Sequence, residues 1–486
     1  MKHSLNNNPI HPIRVLRRLL LALGLFLLLV LLSVTVPYAF DHPEVSEDYI
    51  CWVEETDFTD TTPGTDRVQL LTENEAALEE RIRLISQAEE RIIYVTFDFR
   101  TDNSGQDVMA LLLNAAERGV EVRILIDGMT TAAQLPNAPY FQALAAQPNV
   151  EIRRYNPVNL LRPLEVHGRM HDKYLIVDED YYLLGGRNTY DYFIGDYPTE
   201  HPSQDLEVLV WNTSGDERQG SMAQLLDYFN GVWSQERCVS WYEDERLLDR
   251  SEVQAAAAEL EAHDLWMRET YPDAFSAPED GAGTVEAGTI HLLSNPISPT
   301  VKEPQVLYAM TAILSSAREE VYIQTPYAVC NDAMYDSLTQ IARSVPSAAL
   351  LLNSVESGDN LMASSDYLRS KGDLLETGVS VWEYAGSQSC HSKCAVADGT
   401  VSIVGSFNWD MRSAYLDTEL MLVIPGEEFA AQLMDYETGL LAQSWLCADA
   451  SRYDETSSPS APEVTSGKWV LLSILQVLTA PVRYLL

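Results

Sequence analysis

Five kinds of polar or small residue recur in one fixed pattern at two places in the chain. Residues 171–188 read HDKYLIVDEDYYLLGGRN, and residues 391–408 read HSKCAVADGTVSIVGSFN. A single histidine is more often structural than catalytic, but two histidines that recur with the same partners, 220 residues apart, predict a duplicated catalytic site. The matched pairs are His171/His391, Lys173/Lys393, Asp178/Asp398, Gly185/Gly405 and Asn188/Asn408.

The residue types in this pattern suit a bound phosphate better than a metal ion. A lysine stands two residues after each histidine, and its ammonium group repels cations and donates hydrogen bonds to oxygen. If MHDKYLIV and CHSKCAVA are strands, residues two apart share a face, so each histidine points the same way as its lysine. The amides of Asn188 and Asn408 are expected to approach the same anion. The backbone can turn tightly beside it at Gly185, Gly186 and Gly405, so we predict a phosphate site with no metal and no cofactor.

Two histidines on either side of a phosphate can divide the chemistry between them. One attacks phosphorus when neutral, and the other, protonated, gives a proton to the leaving oxygen before the roles reverse for an acceptor hydroxyl. Each histidine needs a carboxylate to fix its tautomer, and the candidates are Asp205 in DLEVLVW and Glu419 in ELMLVIP. Asp178 and Asp398 have the opposite strand parity, so we expect them to hold the turn geometry and the lysine environment without reacting directly.

Helical and strand patterns alternate on both sides of the two motifs. The helical periodicity of residues 105–120 lies between strand patterns at 91–99 and 121–128. The second half repeats this order, with strand patterns at 321–329 and 348–355 around another helix. The alternation predicts an α/β fold of two similar halves, each a mostly parallel sheet flanked by helices.

The N-terminal residues predict a membrane anchor. Leu19 to Val36 is an uncharged apolar run of 18 residues, close to the roughly 20 that are needed to cross a bilayer. The basic residues before it should stay cytoplasmic, which places the catalytic part on the extracytoplasmic side of the cell membrane after a single pass. A cleaved signal peptide is the alternative, but Pro-Tyr-Ala at 37–39 is a poor cleavage site, which favours the anchor.

The rest of the chain divides where its composition changes. The apolar run before Pro481 is too short to cross a bilayer, so the C-terminal segment either packs on the globular body or lies at the membrane interface. The predicted divisions are a cytoplasmic tail (1–18), the anchor (19–36), an acidic tether or loosely packed lead-in (37–67), a first half (68–245), a helical insert and linker (246–288), a second half (289–450), a second linker (451–467) and the C-terminal segment (468–486).

The overall charge argues against one class of partner. Asp and Glu number 72 against 32 Lys and Arg, which leaves a formal net charge of −40. Such a surface repels nucleic-acid phosphates at long range, so we expect no nucleic acid partner. Nothing in the sequence indicates an obligate protein partner.

The six cysteines leave their pairing open. Outside a membrane such residues can form disulfides, here with 15 possible connectivities. Cys390 and Cys394 would stand roughly 13 Å apart along a strand, beyond the roughly 7 Å that a disulfide spans. We therefore predict that these two are small buried side chains.

Both motifs resemble the signature of the phospholipase D superfamily, HxK(x)4D(x)6GxxN, which duplicated members carry twice. The resemblance extends over residues 68–450, and the flanks GGRNTYDYF (185–193) and GSFNWDMRSAYLDTEL (405–420) are similar to bacterial cardiolipin synthases of the C-type branch. Gly186 stands where many superfamily members have Ser, which supports the narrower resemblance. The family implies a phosphohistidine intermediate in a cleft between the halves. It also implies that His171 is the nucleophile and His391 the acid and base, an order that the motifs themselves leave open.

The resemblance implies an enzyme that acts on phospholipid at a membrane. The leading hypothesis is a phosphatidyltransferase that joins two phosphatidylglycerols into cardiolipin and releases glycerol. A hydrolase of the same superfamily, with water as the acceptor and phosphatidic acid as the product, is the alternative. A nuclease is disfavoured by the acidic charge and the anchor. A non-catalytic membrane scaffold would need at least one broken motif, and both motifs are intact.

Overall fold

Two nine-stranded sheets, one in each half of the chain, form the frame of the protein. The computed structural model describes residues 12–132, 138–200, 202–242, 246–276, 281–454 and 464–486. The start of the predicted cytoplasmic tail and parts of the two predicted linkers lie outside the described residues. Within these residues the second sheet repeats the strand order of the first.

Three neighbouring strands of the first sheet run parallel: β2 (Arg91–Thr96), β3 (Glu121–Asp127) and β4 (Val150–Tyr155). The other pairings in this sheet are antiparallel. The remaining strands are β1 (Asp66–Leu71), β5 (Tyr174–Val177), β6 (Tyr181–Gly185), β8 (Glu207–Asn212), β9 (Cys238–Ser240) and β10 (Val285–Glu286), with a short β7 (Ser203–Gln204) outside the sheet. The order across the sheet is β10-β1-β8-β6-β5-β2-β3-β4-β9.

The second sheet has the same design. Its parallel strands are β12 (Glu320–Gln324), β14 (Ser347–Asn353) and β15 (Ser380–Tyr384). Its other strands are β11 (His291–Ser294), β17 (Cys394–Ala397), β18 (Val401–Gly405), β20 (Leu420–Pro425), β21 (Ser444–Asp449) and β22 (Arg452–Tyr453), in the order β11-β20-β18-β17-β12-β14-β15-β21-β22. Two short parallel pairs lie outside the sheets: β13 (Ala328–Val329) with β19 (Trp409–Asp410), and β7 with β16 (Ser389–Cys390).

The α/β class and the two similar halves are confirmed, but the prediction of mostly parallel sheets is wrong. Within each nine-stranded sheet, only the three strands joined by helical crossovers are parallel. Each motif instead forms a hairpin, β5 with β6 and β17 with β18, and a tight turn can join only antiparallel strands. A buried antiparallel strand is as continuously apolar as a parallel one when both of its faces are covered, so the apolar pattern did not separate the two cases.

Helices cover the faces of both sheets. In the second half α12 packs against β1 of the first half, and α6 of the first half packs against β11 of the second. The helices are α1 (Pro12–Ser33), α2 (Glu47–Glu55), α3 (Asn74–Gln87), α4 (Asn103–Glu117), α5 (Ala138–Ala145), α6 (Gly220–Trp233), α7 (Ser251–Thr270), α8 (Gln305–Ser315), α9 (Asp332–Ser344), α10 (Leu361–Glu376), α11 (Met411–Tyr415), α12 (Glu427–Leu441) and α13 (Ser466–Thr479).

One hydrophobic cluster joins the two halves. It contains Val68 and Val210 from the first sheet together with Leu422 and Phe429 from the second half, all of them buried. Separating the halves would expose this shared core to water, at a cost of roughly 25 cal/mol for each Å² of apolar surface. The halves therefore hold a fixed relation to each other, which the active site between them requires.

The stretch 37–67 is not a tether. Tyr38, Val53 and Phe58 are buried in the core of the second half, and α2 packs against α8. Ser46 adds two hydrogen bonds to Glu303 Oε2, at 3.0 Å from its amide and 2.9 Å from its hydroxyl. The acidic composition indicated a solvated segment, but three apolar side chains at helical and turn positions are enough to pack it onto the body.

The predicted insert between the halves belongs to the first half. Helix α7 packs against α4 and α5, and β10 pairs with β1 at the edge of the first sheet. A buried stripe on α7, formed by Val253, Leu260 and Met267, makes these contacts. The division at residue 246 therefore does not mark a boundary between packing units.

The N-terminal helix is the one described helix that is long and apolar enough to cross a membrane. The apolar stretch runs from Val15 to Ala39 and none of its most apolar window is buried against the protein. The C-terminal helix α13 packs on α10, with Leu472 buried between them. Its outward face remains apolar and exposed.

The first half contains a buried ion-pair network in which two arginines share one carboxylate. We expect the stability of the fold to depend on that carboxylate. Glu207 accepts from Arg81 Nη1 at 2.8 Å and lies 3.7 Å from Arg187 Nε, and all three side chains are buried. At the equivalent positions the second half has Phe407 and Met421, so it needs no such network.

We expect Glu207→Gln to lower the free energy of unfolding by about 3–5 kcal/mol, because two buried guanidinium groups lose their counter-charge. Urea denaturation of the detergent-solubilised full chain, followed by tryptophan fluorescence, measures the change. Asp449→Asn is the matched control, because Asp449 pairs with Arg452 at the surface and its loss should change little. An equally small effect of the two substitutions would contradict the prediction.

Candidate active site

Each motif histidine lies where its own half meets the other half. Met170 pairs with Thr418, and the His171 amide donates to the Thr418 carbonyl oxygen at 3.3 Å. In the second half β16 pairs with β7, and the His391 amide donates to the Gln204 carbonyl oxygen at 2.7 Å. Backbone from the opposite half therefore fixes the position of each histidine.

The strand in each motif begins later than the sequence pattern predicts. Strand β5 begins at Tyr174 and β17 at Cys394, so each His-x-Lys segment is extended but lies outside the main ladder. The histidine amide of each motif bonds to the opposite half, whereas the lysine carbonyl oxygen still accepts from Gly185 or Gly405 of its own sheet. The histidine and lysine of each motif still reach the same site.

Each histidine is oriented by a carboxylate from the other half of the chain. His171 Nδ1 lies 2.9 Å from Glu419 Oε1, and His391 Nδ1 lies 2.7 Å from Asp205 Oδ2. Both carboxylates are fully buried, whereas the two histidine side chains each keep 13% of their surface exposed. With Nδ1 held by a carboxylate, Nε2 of each ring is the atom left for chemistry. Both predicted carboxylates are thus at the site, and their pairing with the histidines crosses between the halves.

The two motif lysines lie beside the histidines. Lys173 Nζ donates to the carbonyl oxygen of His171 at 2.6 Å. Lys393 Nζ donates to the carbonyl oxygen of His391 and lies 2.6 Å from its Nδ1. It also lies 3.9 Å from Asp205 Oδ2. Two buried ammonium groups therefore converge on a site where an anion would be stabilised.

Burial weakens the positive charge of the site. Burial lowers the pKa of His171 well below its usual value, and the charge of Lys173 lowers it further. Burial and then Lys393 lower the pKa of His391 in the same direction. Burial also lowers the pKa of Lys173 to about 7, and it lowers that of Lys393. A bound phosphate would supply the missing negative charge and favour the protonated lysines.

The two carboxylates differ in their readiness to ionise. Burial raises the pKa of Glu419 to about 8, even though Lys173 acts against this shift. Burial would raise the pKa of Asp205 too, but Lys393 and the hydrogen bond to His391 outweigh it, and the pKa falls below its usual value. The ionised Asp205 acts against burial and Lys393 at His391, whose pKa still falls below its usual value, and a bound phosphate would raise it again. A carboxyl that ionises only near pH 8 gives His171 less of this support.

Asp178 and Asp398 lie away from the reacting groups. Asp178 stands at the far end of β5 from Lys173, roughly 16 Å along an extended chain. Its carboxylate accepts from the amides of residues 89, 90 and 91 at 2.7–2.8 Å. Asp398 accepts from the amides of residues 318, 319 and 320 at 2.7–3.0 Å. Both residues adopt a positive φ of 51°. Their hydrogen bonds to these amides attach the hairpin turn to the start of a parallel strand.

The motif glycines are required by strand packing. A Cβ on Gly185 would lie 2.2 Å from the carbonyl oxygen of Leu206, and one on Gly405 would lie 2.0 Å from that of Leu420. The reason for glycine is therefore the close approach of β8 and β20, and neither residue has a positive φ. This differs from the expectation that these backbones turn tightly around the anion.

The motif asparagines lie beside the site with their amide groups only partly used. Asn188 Oδ1 accepts from the amide of Asp98 at 3.3 Å, which leaves its NH₂ group to donate elsewhere. Asn408 Nδ2 lies 3.4 Å from the Tyr327 hydroxyl, a long contact. Both side chains are buried, so these donors would gain most from an anion.

Several residues at the site are not part of the repeated motif. Ser406 and Ser413 each donate a hydroxyl to one oxygen of Glu419. The rings of Phe97 and Phe193 lie edge-on to His171 and His391, with centroids 5.2 Å and 4.9 Å apart. Ser406 and Phe193 stand in the quoted flanks of the motifs, but nothing in their spacing distinguishes them from core residues.

Gly186 makes room for the shorter of the two carboxylates. A Cβ at this position would lie 2.3 Å from Asp205 Oδ1 and 2.6 Å from Oδ2. The equivalent residue of the second half is Ser406, which hydrogen-bonds to the longer Glu419. The residue after the motif glycine therefore matches the length of the carboxylate in each half. Glycine leaves room for the aspartate, and serine hydrogen-bonds to the longer glutamate.

We expect Gly186→Ser to lower the rate by about 100-fold, because the new side chain displaces Asp205 and with it His391. Adding Asp205→Glu should recover part of that loss by copying the second half. Ser406→Gly is the control in the opposite direction; it also removes a bond from the Leu420 amide, but the loss of the bond to Glu419 should slow the reaction only about fivefold. The rate of phospholipid turnover in vesicles is measured for all three variants. Equal losses of rate in Gly186→Ser and Ser406→Gly would contradict the matching of residue size to carboxylate length.

The described cysteines are all free. Cys390 and Cys394 are both buried, which confirms that prediction. Cys394 Sγ donates to Glu437 Oε1 at 3.2 Å, on the side of β17 away from the site. Cys51 is the exposed one, and the other five are buried.

Comparison with known proteins shows the same two-part organisation. A family model described as "Cardiolipin synthase, PLD-like domain" matches residues 82–233 and 310–438, one stretch in each half. Cardiolipin synthase C of Escherichia coli (strain K12) is 29% identical over 390 residues, 73% of this chain and 80% of that protein. Cardiolipin synthase A of Erwinia tasmaniensis is 26% identical over 393 residues, 80% of this chain and 71% of that protein.

A solved structure supports the fold independently. The phosphatidylserine synthase of Haemophilus influenzae Rd KW20 aligns with a TM-score of 0.62 at 15% identity, over 90% of this chain and 99% of that one. At this identity the likeness concerns the fold alone. Together with the family match, it confirms the resemblance that the two motifs predict.

Proposed function

Because the chain belongs to the phospholipase D-like family whose model covers both of its halves, we propose that it is a membrane-anchored phosphatidyltransferase that joins two phosphatidylglycerols into cardiolipin. The observation that carries this proposal is the crossed pair of histidine–carboxylate contacts at 2.9 Å and 2.7 Å, with a lysine beside each ring. That arrangement offers a nucleophile, a proton donor and two cations around one phosphate. The cardiolipin synthases among its relatives supply the choice of substrate.

In the first step His171 Nε2 attacks phosphorus of phosphatidylglycerol. The phosphorus–nitrogen bond forms as the bond from phosphorus to the glycerol oxygen breaks, and His391 Nε2 gives its proton to that oxygen. Glycerol leaves and the phosphatidyl group stays on His171. Lys173, Lys393 and the two asparagine amides stabilise the charge that builds on the phosphate oxygens.

In the second step the neutral His391 takes the proton from a hydroxyl of a second phosphatidylglycerol. The freed oxygen attacks phosphorus, and the phosphorus–nitrogen bond to His171 breaks. Cardiolipin is formed, and His391 is again protonated for the next cycle. The ionised Asp205 suits His391 to this alternation, and His171 attacks when its Nδ1–H donates to an ionised Glu419, because the lone pair is then on Nε2.

The apolar N-terminal helix fits an enzyme whose substrate is in the membrane. Its length and composition suffice for one crossing, and we propose that the catalytic body lies on the extracytoplasmic side. Anchoring raises the local concentration of lipid, which offsets the repulsion between an anionic substrate and a chain of net charge −40.

The deciding experiment is lipid mass spectrometry after the full-length enzyme has been given phosphatidylglycerol in vesicles. Cardiolipin with an equal amount of free glycerol is the expected product. Phosphatidic acid alone would identify a hydrolase of the same superfamily and overturn the transferase.

We expect the rate to be unchanged by EDTA. The cations that face the phosphate are the side chains of Lys173 and Lys393, and no step of the proposed reaction uses a metal. The same vesicle assay with and without the chelator measures this, and restoration of a lost rate by added Mg²⁺ or Ca²⁺ would contradict the proposal.

A further inference from the structure

The base of the apolar N-terminal helix is fixed to the catalytic body. Tyr38, just beyond α1, is buried in the core, and its hydroxyl donates to the Pro163 carbonyl oxygen at 3.1 Å. The ring of His167 packs edge-on against Tyr38, and its Nε2 lies 2.9 Å from the Val34 carbonyl oxygen. The point at which α1 leaves the body is therefore set by contacts with residues 163–167.

The C-terminus reaches the same point from the other half. Arg412 donates to the Leu485 carbonyl oxygen at 3.2 Å through Nη1 and to the His167 carbonyl oxygen at 3.1 Å through Nη2. The turn at 480–485 contacts the turn at 36–39 that follows α1. The base of α1 thus stands between loop 158–164 of the first half and the C-terminal segment.

Both of these neighbours expose apolar side chains. On the loop, Leu161 is 88% exposed, with Leu160 and Leu164 also more than half exposed. On α13, Val477 is 73% exposed and Leu478 is 63% exposed. We call these exposed apolar side chains of loop 158–164 and α13 the anchor-side patch. Clustered exposed apolar side chains of this kind are unusual on a protein in water and mark a contact with lipid or protein.

The charge of the C-terminal segment favours lipid. Residues 465–486 contain Lys468 and Arg483 and no Asp or Glu, in a chain whose net charge is −40. A carboxylate-free segment avoids the repulsion that an anionic bilayer imposes on the rest of the surface. Trp469, 43% exposed near the start of α13, is a residue type that prefers the boundary between headgroups and acyl chains.

We propose that the anchor-side patch lies in the interface of the same bilayer that α1 crosses. Loop 158–164 and α13 then keep the catalytic body at a fixed distance from the membrane surface. The inference rests on the membrane anchoring in the proposed function. The proposal is argued from continuity, because Pro163 of the loop accepts from Tyr38 just beyond α1, and the 480–485 turn that follows α13 contacts the same 36–39 turn.

This docking brings the reacting histidine close to the headgroups. His171 follows His167 by four residues, which span at most about 14 Å, and His167 contacts Val34, the residue that follows α1. The phosphate site would then stand close to the lipid surface, and a phosphatidyl group could reach it without leaving the bilayer entirely. A flexible tether would not fix this distance, but the packed 37–67 segment does.

Spin labels on the full chain in nanodiscs of phosphatidylglycerol and phosphatidylcholine test the docking. The labelled variants are Leu161→Cys and Leu478→Cys in a Cys51→Ser background, because Cys51 is the exposed native thiol among the described cysteines. Leu265→Cys on α7 is the matched control, since Leu265 is 64% exposed, like Leu478, but lies on a helix that packs against α4 and α5. The readout is the collision rate of each label with oxygen and with a water-soluble nickel chelate.

We expect oxygen to relax the labels at 161 and 478 more than nickel does, with the reverse order at 265. Nickel access at both 161 and 478 equal to that at 265 would overturn the docking. Protection of both from oxygen and from nickel would also overturn it, because a protein partner would then cover the patch. These readouts do not use catalysis, so an inactive or hydrolytic enzyme leaves the test intact.

A second measurement links the patch to the reaction. We expect the Leu161→Asp/Leu478→Asp variant to turn over vesicles at least about tenfold more slowly, because each leucine loses its burial in lipid. Its rate on monomeric short-chain phosphatidylglycerol should equal that of the parent, as should both rates of Leu265→Asp. An unchanged vesicle rate in the double variant would contradict the proposed role.

Discussion

In the His391→Ala variant, a substrate with an activated leaving group is expected to leave its phosphatidyl group on His171 and go no further. A p-nitrophenyl ester of phosphatidic acid needs no proton on its leaving oxygen, so His171 can still attack it. The second step needs His391 to take a proton from the acceptor, and without that base the covalent intermediate should accumulate. One equivalent of p-nitrophenol per enzyme is the expected burst.

The His171→Ala variant provides the comparison. It lacks the nucleophile, so it should give no burst, and on phosphatidylglycerol both variants should lose about 10⁴-fold or more in turnover. Mass spectrometry of the peptide that contains residue 171 locates the adduct. An adduct on His391 in the His171→Ala variant would reverse the two roles, and substantial turnover of phosphatidylglycerol by either variant would refute the two-histidine mechanism.

Glu419→Gln is expected to lower the rate by about 10³-fold and to remove the acid side of the pH profile. The histidine is a nucleophile when Nδ1–H donates to an ionised Glu419, because the lone pair is then on Nε2. Burial raises the pKa of Glu419 to about 8, so the active form gains population as the pH rises toward 8 and above. Glutamine accepts the same hydrogen bond without titrating, so the rate is low and no longer rises as the pH approaches 8.

Asp205→Asn is the matched control for this prediction. The pKa of Asp205 is lowered by Lys393 and His391 against burial, so this carboxylate is already ionised at neutral pH. Its replacement should lower the rate while leaving the rise toward pH 8 in place. An acid limb that persists in Glu419→Gln, or disappears in Asp205→Asn, would show that the titrating group is not Glu419.

Glu419 also makes the free energy of unfolding depend on pH, in the opposite direction to the reaction rate. A glutamate in an unfolded chain releases its proton near about pH 4.3, whereas Glu419 in the folded protein holds it to about pH 8. The folded state therefore binds this proton more tightly, and its contribution to stability is lost as the pH rises through 8. Higher pH should thus speed the first step while lowering the free energy of unfolding.

The sequence by itself determined the chemistry of the site. Two copies of His, Lys and Asn in one register specify which functional groups meet a phosphate, because catalysis tolerates few substitutions of residue type. The carboxylates Asp205 and Glu419 could also be named, since each opens a strand-like run after its motif. The apolar N-terminal helix was equally plain, because a helix able to cross a membrane is recognised by its length and composition and not by tertiary contacts.

The tertiary structure decided how these groups are paired. His171 and Glu419 are 248 residues apart, and His391 and Asp205 are 186 apart, so no local pattern relates either partner to the other. No local pattern reveals the clash with Asp205 that makes glycine necessary at position 186. Nor does one reveal the burial of Tyr38, which packs the predicted tether against the body. Residue types and periodicity are local properties, but pairing across the two halves arises only when both sheets pack on one shared core.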